Sequence, residues 1–340
     1  LIIYIIVRSS FIILNNLDFN FIKKALIVVA FTILSLPVLN KKQIVFSFIL
    51  GVFLSIVISS FYLIEYIIVN ENFNFSNGDN INKILITERL YLGFMCTLSF
   101  AFSFAYLSKQ KKLINYGLIA NIVMCSLFIF IISARIAIIS VILIALVYIY
   151  NYLNIKKALL LSILFLSMLV VPFILNPNLG NRFFYLNDEN KDYFQKLKDW
   201  EPRVVIWDCS YNIFTQKSNL IFGDGAYLTK TNLNLCYKET INKESKKKWF
   251  LMKSFNTHNQ FLDFLLTYGI IGALLFLLFF IIAFYYSKKN IYIYTTLIAL
   301  FLFGMVENFF HRQIGVYLFA IILITITNTN LYIEKDSVNE

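Results

Sequence analysis

Long apolar runs alternate with short polar connections along most of the chain. A helix of about 20 apolar residues is long enough to cross ~30 Å of hydrocarbon. The runs of this length are Phe21–Leu39, Gln43–Val69, Leu90–Leu107, Leu113–Ser133, Ile136–Tyr152, Ala158–Leu175, Gln260–Tyr286, Ile291–Phe309 and Gln313–Leu331. The pattern therefore predicts an all-α polytopic membrane protein with about nine complete transmembrane helices.

The chain opens with a shorter apolar run, Leu1–Leu14, which contains Arg8. At ~1.5 Å per residue this run is too short to cross the bilayer, and the chain begins with leucine. We therefore expect it to be the end of a further helix in a truncated sequence. The pattern divides the chain into N-terminal transmembrane helices over 1–175, a loop segment over 176–259, and C-terminal transmembrane helices with a short cytoplasmic tail over 260–340.

Composition agrees with a membrane protein and excludes an ordinary soluble domain. Hydrophobic residues make up 59% of the chain, charged residues 14%, and the mean hydropathy is +0.72. Soluble domains hold roughly 45–50% apolar and about 25% charged residues. The formal net charge of +11 is carried mostly by lysines near helix ends, so it indicates membrane topology and not nucleic-acid binding.

Lysines occupy every second short connection between the predicted helices. They are Lys41 and Lys42, Lys109, Lys111 and Lys112, Lys156 and Lys157, and Lys288 and Lys289. The positive-inside rule assigns these connections to the cytoplasm. The loop segment 176–259 and the connections at Arg135 and His311 then face outward, and Lys23 and Lys24 are the one discordant pair.

The loop segment is too long to be a plain connector. Apolar side chains recur in it at spacings of four and three, which lines one face of a helix. They are Tyr193, Leu197, Trp200, Val204, Trp207, Tyr211 and Phe214. Because Pro202 is tolerated in a first turn, we predict two amphipathic helices with a break before Arg203. Such helices suit the membrane surface; the alternative is a stripe that packs only on the protein's own helices. "IFGDGAYL", Ile221–Leu228, predicts a glycine-rich turn.

The four cysteines fall into two classes. Cys96 and Cys125 lie inside predicted spans and are expected to pack as small apolar residues. Cys209 and Cys236 share the loop segment, where a disulfide is chemically permitted, but the sequence leaves this pairing open because it supplies no geometry. No cysteine or histidine spacing resembles a zinc site.

Three polar residues at helix boundaries are candidates for chemistry. Arg135 interrupts two apolar runs, Arg203 lies one turn before Trp207, and His258 stands at the mouth of a predicted helix. Each has a structural interpretation on its own: a snorkelling arginine, a surface ion pair or cation–π contact, and an interfacial histidine. Together they suit a different chemistry, since guanidinium groups neutralise a diphosphate and imidazole takes a proton from a hydroxyl.

Four motifs resemble the O-antigen ligase family, which includes O-antigen ligases, O-antigen and capsule polymerases, and protein O-oligosaccharyltransferases. They are "SAR" at Ser133–Arg135, the pair Arg203 and Trp207, "FGDG" at Phe222–Gly225, and "HNQFLDFLLTYGIIG" at His258–Gly272. The similarity runs from about residue 89 to the C terminus. The lysine-rich stretch at 242–250 matches no feature of the family.

The resemblance implies a transferase of the bacterial inner membrane. It takes a glycan from undecaprenyl diphosphate at the periplasmic face and joins it to an acceptor hydroxyl, which in a ligase belongs to lipid A–core. His258 is then the general base, and Arg135 and Arg203 stabilise the departing diphosphate. Asn259 and Trp207 are expected to bind substrate.

The remaining predictions concern glycines and metals. Gly223 and Gly225 are expected to take part in substrate binding through the turn, and Gly269 and Gly272 to allow close helix packing below the site. Many glycosyltransferases use a divalent metal at the diphosphate, but the loop segment has no Asp-x-Asp cluster. We therefore expect a metal-independent enzyme with no cofactor.

Three alternatives remain open from the sequence. A polymerase would extend a lipid-linked glycan with the same chemistry. A transporter of lipid-linked glycans could also use the arginines, but it needs no base and usually has pseudo-symmetric halves, which this sequence lacks. A structural or receptor-like membrane protein would tolerate substitution of His258.

Overall fold

The computed structural model describes residues 1–11, 16–35, 37–38, 41–70, 78–107, 112–168, 201–216, 220–288 and 290–326. These residues fold into helices joined by turns. In chain order they are α1 Ile2–Phe11, α2 Asn16–Ser35, α3 Lys41–Asn70, α4 Gly78–Ile84, α5 Arg89–Tyr106, α6 Lys112–Ile131, α7 Arg135–Tyr152, α8 Ile155–Met168, α9 Pro202–Gln216, α10 Gly225–Thr240, α11 Glu244–Lys253, α12 Gln260–Ser287, α13 Ile291–Gly304, a 3-10 turn Phe309–His311, and α14 Gln313–Ile326.

Four of these helices are long and apolar enough to cross a membrane, namely α3, α6, α7 and α12. Helices α1, α13 and α14 are apolar but shorter. The predicted span Ile291–Phe309 is shortened because α13 ends at Gly304, before the polar pair Glu307 and Asn308. The all-α class is confirmed for the described residues, whereas the number of nine spans remains a prediction.

The chain divides into two compact units. Unit 1 comprises Leu1–Val38, Lys191–Tyr286 and Gly304–Ile324, and unit 2 comprises Leu39–Asn190, Ser287–Phe303 and Thr325–Glu340. The division predicted from the sequence, into two sets of transmembrane helices and a loop segment, is a different kind of boundary and stays a prediction.

In unit 2, α5 and α7 run parallel and in close contact. Near their N-terminal ends, a Cβ added at Gly93 would lie 2.9 Å from the Cβ of Ala134. Near their C-terminal ends, the rings of Phe104 and Tyr148 stack with centroids 5.0 Å apart. The small residues let the helices approach closely at one end, as in other membrane bundles, and aromatic rings fill the other end.

In unit 1, helices α9, α10 and α11 share a small core of their own. Cys209 of α9 and Cys236 of α10 form a disulfide with an S–S distance of 2.07 Å, which answers the pairing left open above. Ile206, Tyr237 and Phe250 are buried beside it. Phe250 ends the lysine-rich stretch, so that stretch supplies a core residue as well as surface charge.

Helix α9 begins at Pro202, where the second of the two predicted helices starts. Its buried face is formed by Ile206 and its neighbours on that side, whereas Trp207 is 37% exposed and Tyr211 65% exposed. The aromatic stripe on α9 therefore does not pack only on the protein's own helices. The first half of the predicted stripe, residues 193–200, lies outside the described residues.

Helix α12 is kinked at Gly269, where φ is +70°. A kink frees backbone groups that must find other partners. A strap of chain, residues 220–224, provides them: Ile270 N donates to Leu220 O at 2.9 Å, and the next amide donates to the next strap carbonyl at 3.3 Å. Main-chain carbonyls of the strap therefore accept hydrogen bonds from amides that the kink leaves without helical partners.

Two glycines make this close approach possible. A Cβ at Gly223, where φ is +72°, would meet the backbone of Gly269 and Thr267. A Cβ at Gly269 would meet the backbone of Ile221 in the same way. Because other residues avoid positive φ, these positions favour glycine for two reasons. The packing role predicted for Gly269 is therefore a strap-to-helix contact.

Helices α1 and α2 hold the strap from its other side. Arg8 donates from Nε to Phe222 O at 3.0 Å and from Nη2 to Gly223 O at 2.9 Å. Asp18 Oδ1 accepts a bond of 2.7 Å from the amide of Ala226 at the start of α10, where a carboxylate suits the positive helix end. The strap and the start of α10 are therefore fixed within unit 1.

Candidate active site

The candidate site is built around the turn that leads into α12. His258 has φ +44°, a left-handed conformation that is uncommon for a residue with a side chain. Asn256 Oδ1 accepts a bond of 3.0 Å from the amide of His258. Asn259 Oδ1 then caps α12 by accepting from the amides of Phe261 (2.9 Å) and Leu262 (3.1 Å). The turn and the cap together set the position of the imidazole.

The imidazole of His258 pairs with a carboxylate from the connection after α13. Its Nδ1 lies 3.2 Å from Glu307 Oε2. The two side chains are 23% and 5% exposed. A carboxylate at Nδ1 favours the tautomer with the proton on that nitrogen, which leaves Nε2 as the proton acceptor. This arrangement of base and orienting acid is typical of enzymes that activate a hydroxyl group.

The pKa of Glu307 depends on opposing effects. Burial raises it, whereas the hydrogen bond from His258 and the charges of His258, Arg203 and Arg312 lower it. The lowering effects are the larger in sum, so the pKa lies below the ordinary value for glutamate. Glu307 is therefore ionised at neutral pH and can hold the imidazole.

Arg203 meets the same connection from α9. Its Nη2 donates to Val306 O at 3.2 Å, and its Nη1 lies 3.1 Å from Glu201 Oε1. Its Nε is buried and has no hydrogen-bond partner among the residues that the structure describes. Arg203 and His258 thus contact adjacent residues, Val306 and Glu307, and the structure brings two predicted site residues together.

Trp207 and Thr257 complete the contacts between the loop helices and the turn. Trp207 Nε1 donates to Thr257 O at 3.1 Å, while part of the indole stays exposed. Thr257 Oγ1 lies 3.1 Å from Asn308 Oδ1 and 2.8 Å from Asn308 Nδ2. Thr257 and Asn308 are fully buried. Thr257 and Asn308, the chain neighbours of His258 and Glu307, are therefore also hydrogen-bonded to each other.

A second histidine–carboxylate pair lies close along the same two segments. His311 Nε2 is 2.9 Å from Asp263 Oδ1, and the side chains are 26% and 2% exposed. Gln260 donates to the other oxygen of Asp263 at 3.3 Å, and Lys24 Nζ donates to His311 O at 2.6 Å. Lys24, one of the two lysines that the positive-inside rule does not explain, therefore has a structural partner.

The second pair borders a small cavity of about 100 Å³. Its polar wall includes Thr229, Lys230 and Asn256, and its apolar wall includes Phe21. The Phe21 ring lies edge-on to the imidazole of His311, with centroids 4.8 Å apart. Asn256, whose Oδ1 accepts from the amide of His258, belongs to the polar wall, so the cavity lies between the second pair and the turn that carries His258.

Four predicted site residues have other placements or additional roles. Arg135 is the first residue of α7 in unit 2. Gly223 lies in the strap, and Gly225 begins α10 with φ +83°. Asn259 caps α12, as described. These contacts give the two glycines and Asn259 structural roles; their roles in substrate binding stay predictions.

Glu307 is not among the site residues predicted from the sequence. One signal could have identified it, because Glu307 is an acidic residue within an apolar run that was long enough to be predicted as a span, and such residues mark functional sites. Its partner could not be known, since 49 positions separate Glu307 from His258. Within the described ranges, no group of three His, Cys, Asp or Glu side chains is placed to hold a metal ion.

Comparison with known proteins identifies the domain that contains the turn. Residues 120–277 match the family model described as O-antigen ligase. No curated protein matches the chain. The matched range includes Arg135, Arg203, Trp207 and His258, whereas Glu307 lies beyond it. The match confirms the resemblance recognised from the sequence motifs: residues 120–277 of this membrane protein form a domain of the O-antigen ligase type.

Proposed function

We propose that the protein is a membrane glycosyltransferase that moves a glycan from undecaprenyl diphosphate to an acceptor hydroxyl. The observation that carries the proposal is the His258–Glu307 pair, with Arg203 on the adjacent residue. A base that is oriented by a carboxylate and flanked by a guanidinium suits transfer from a diphosphate donor. It gives no advantage to a protein that only transports the lipid.

In the proposed reaction the acceptor oxygen attacks the anomeric carbon of the donor sugar. His258 Nε2 takes the hydroxyl proton as the new C–O bond forms. The bond between the anomeric carbon and the phosphate oxygen breaks, and undecaprenyl diphosphate leaves with the bonding electrons. Direct displacement inverts the anomeric configuration, and Glu307 holds the imidazolium that forms.

Arg203 stabilises the charge that builds up on the departing diphosphate. The side chain of Arg203 is 20% exposed, so part of its guanidinium can be reached by an anion. We propose the same role for Arg135 on the family resemblance. With guanidinium groups in this role the reaction needs no metal, so transfer in purified membranes is expected to survive excess EDTA. Loss with EDTA and rescue by magnesium or manganese would contradict this assignment.

Trp207 is the substrate-binding residue that the geometry favours most. Its indole is partly exposed and its Nε1 is fixed by Thr257, so the ring can stack on a sugar as aromatic residues do at binding sites. Asn259, Gly223 and Gly225 complete the proposed binding set.

The proposed location is the inner membrane, with the loop segment in the periplasm. Lysines in alternate connections support this orientation, and a disulfide between Cys209 and Cys236 agrees with an oxidising compartment. Cysteine labelling from outside is expected to modify a probe introduced at Ser218 and to spare one at Ser108. The opposite pattern would contradict the orientation, because His258 would face the cytoplasm.

The acceptor that we propose is lipid A–core, as in ligases of this family. A deletion strain tests the assignment through its glycolipids. Loss of polymer-bearing lipid A with polymer retained on the lipid carrier is expected. Lipid A bearing single repeats would instead indicate a polymerase, and accumulation of the donor on the cytoplasmic side would indicate a transporter.

A further inference from the structure

The small cavity of unit 1 has polar groups in its wall that the proposed reaction does not use. The cavity, of about 100 Å³, lies between α2, α10, the turn before α12 and the 3-10 turn. All of its lining residues belong to unit 1. At about 30 Å³ for each water-sized group, it has room for about three such groups. It can therefore hold a few small polar groups or one edge of a larger ligand.

The hydroxyl of Thr229 in this wall lacks the bond that its neighbours make. Helix α10 holds three threonines. Thr231 donates to Tyr227 O at 3.0 Å, the carbonyl four residues earlier. Thr240 donates to Cys236 O at 2.7 Å in the same way. Thr229 is 3% exposed, and its Oγ1 has no partner among the residues that the structure describes. Because a buried hydroxyl without a partner costs free energy, its presence in a cavity wall indicates a ligand.

Two further groups of the wall can donate to the same ligand. Lys230, the next residue of α10, lines the cavity and is half-buried. Asn256 uses its Oδ1 to accept from the amide of His258, so its Nδ2 supplies two N–H donors. Lys230, Asn256 and His311 are all partly exposed. A ligand can therefore enter this cavity from the surface.

The charges around the cavity favour an uncharged ligand. Asp263 lies in the wall, and Asp18 accepts from the first amides of α10. Lys230 and Lys24 are the half-buried cations at the same place, and Lys24 is bonded to the 3-10 turn. Two carboxylates and two ammonium groups balance each other. A hydroxyl group suits this wall, because its oxygen accepts from lysine or asparagine while its proton is donated to threonine.

The apolar wall suits the carbon atoms of a sugar ring. It is formed by Leu17, Phe21 and Leu233. Sugar rings carry C–H groups beside their hydroxyls, and sites for small ligands combine apolar surface with a few placed polar groups. Asn256 lies two residues before His258, so their Cα atoms are at most ~7 Å apart. A sugar held in the cavity would therefore lie close to the turn that carries the candidate base.

We propose that this cavity binds hydroxyl groups of one sugar residue of a glycan substrate, with Thr229, Lys230 and Asn256 as the binding groups. This site deepens the proposed function and rests on it for the identity of the glycan. The sugar belongs either to the lipid-linked donor or to the acceptor, and both present the same chemistry. The His311–Asp263 pair keeps its structural role as part of the wall.

The experiment measures the binding of soluble glycans without any transfer. Two probes are used separately: the host's glycan repeat released from its lipid carrier by mild acid, and core oligosaccharide released from lipid A. Saturation-transfer NMR in detergent micelles gives the affinities, and the probe that binds identifies the donor or the acceptor as the source. Thr229→Val keeps the shape of the side chain and is expected to weaken binding by about 3- to 10-fold, the effect of one lost hydrogen bond.

The melting temperature of Thr229→Val without glycan is expected to equal or exceed that of the wild type, because a buried hydroxyl without a partner is removed. Lys230→Met is the second variant. Its side chain is only half-buried, so the substitution does not disturb the core. It is expected to weaken binding by about tenfold, since a hydrogen bond from a charged donor is lost.

Thr231→Val is the matched control, because Thr231 lies two positions further along α10 and its hydroxyl is already bonded within the helix. It is expected to leave the affinity within about twofold of wild type. Equal weakening in Thr229→Val and Thr231→Val would indicate a general disturbance of α10 and would overturn the proposal.

Three other results would also overturn it. The first is that neither glycan binds the wild-type protein, and the second is wild-type affinity in both Thr229→Val and Lys230→Met. The third is inorganic phosphate that displaces the glycan from the wild type and fails to bind Lys230→Met, which would make the cavity an anion site. Failure of the proposed function is seen separately, as normal transfer by His258→Ala, and leaves these affinities unchanged.

Discussion

Two histidine–carboxylate pairs join the same two segments of unit 1, yet their surroundings differ. In the first pair the histidine comes from the turn before α12 and the acid from the connection after α13. In the second pair the acid, Asp263, comes from the first turn of α12 and the histidine from the 3-10 turn after α13. Distances of 3.2 Å and 2.9 Å and similar exposure do not separate them. The composition of such a pair therefore does not identify a catalytic base.

The backbone and the neighbours do separate the two pairs. His258 stands at positive φ beside a connection that Arg203 contacts, and strained backbone is concentrated at functional sites. His311 belongs to a 3-10 turn, packs on Phe21 and is held through its carbonyl by Lys24. We conclude that the first pair is arranged for chemistry and that the second joins α2, α12 and the 3-10 turn.

The largest expected difference is between the two histidines. His258→Ala is expected to reduce turnover by about 10²–10⁴-fold, the usual contribution of a general base, and to leave donor binding nearly intact. His311→Ala is expected to keep turnover per molecule within a few-fold and to lower the amount of folded protein. Glycan transfer in membranes, normalised by immunoblot, gives both values. Normal transfer by His258→Ala would remove the catalytic assignment.

The next largest difference is expected between two cations, Arg203 beside the first pair and Lys24 beside the second. Arg203→Ala is expected to weaken donor binding and turnover together, by about 10- to 100-fold, because it removes charge-assisted bonds to the diphosphate. Arg203→Lys should recover part of this loss, since lysine keeps the charge but not the planar fork. Lys24→Ala is the control and should alter thermal stability alone. An equal loss of turnover in the Lys24 variant would contradict the distinction between the pairs.

The two acids provide a third comparison. Glu307→Gln keeps the shape of the side chain but removes the charge that orients the imidazole, so we expect a turnover loss of about tenfold or more at an unchanged KM for the donor. Glu307→Asp should recover less than the wild-type rate, because the shorter side chain moves the carboxylate away. Asp263→Asn should lower the melting temperature and leave turnover per molecule unchanged. A loss of turnover in Asp263→Asn together with normal turnover in Glu307→Gln would instead make His311 the base.

The smallest effect concerns pH and stability. The pKa of Glu307 is lower in the folded protein than its ordinary value, so its contribution to stability is present above the unfolded pKa and is lost as pH falls through the folded pKa. The melting temperature of the wild-type protein is therefore expected to fall more steeply in acid than that of Glu307→Gln. Parallel curves would show that the carboxylate gains nothing from the pair.

The sequence predicts the helical class and the local parts of the site because both depend on short-range pattern. The start of α9 at Pro202 follows from the proline itself, and the turn at His258 follows from a polar string before an apolar run. The family motifs then join Arg203 and His258 in one function. None of this requires knowledge of contacts between distant segments.

The rest depends on such contacts. Glu307 pairs with His258 only because α13 ends early at Gly304, and an apolar run does not reveal where its helix stops. Thr229 looks like an ordinary helix residue until its burial in a cavity wall is known. The strap in the kink of α12 could not be anticipated either, since glycines at 223 and 269 have separate local explanations in the sequence.

The kink at Gly269 changes how the protein must match a bilayer. Although α12 runs from Gln260 to Ser287, the part beyond the kink holds about 18 residues and is ~27 Å long, close to the thickness of the hydrocarbon layer. The nine or so residues before it therefore need not enter lipid at all. The hydrocarbon thickness of the bilayer should therefore match the part of α12 that follows the kink. A bilayer thick enough for a straight helix of ~42 Å would exceed the hydrophobic length of this part.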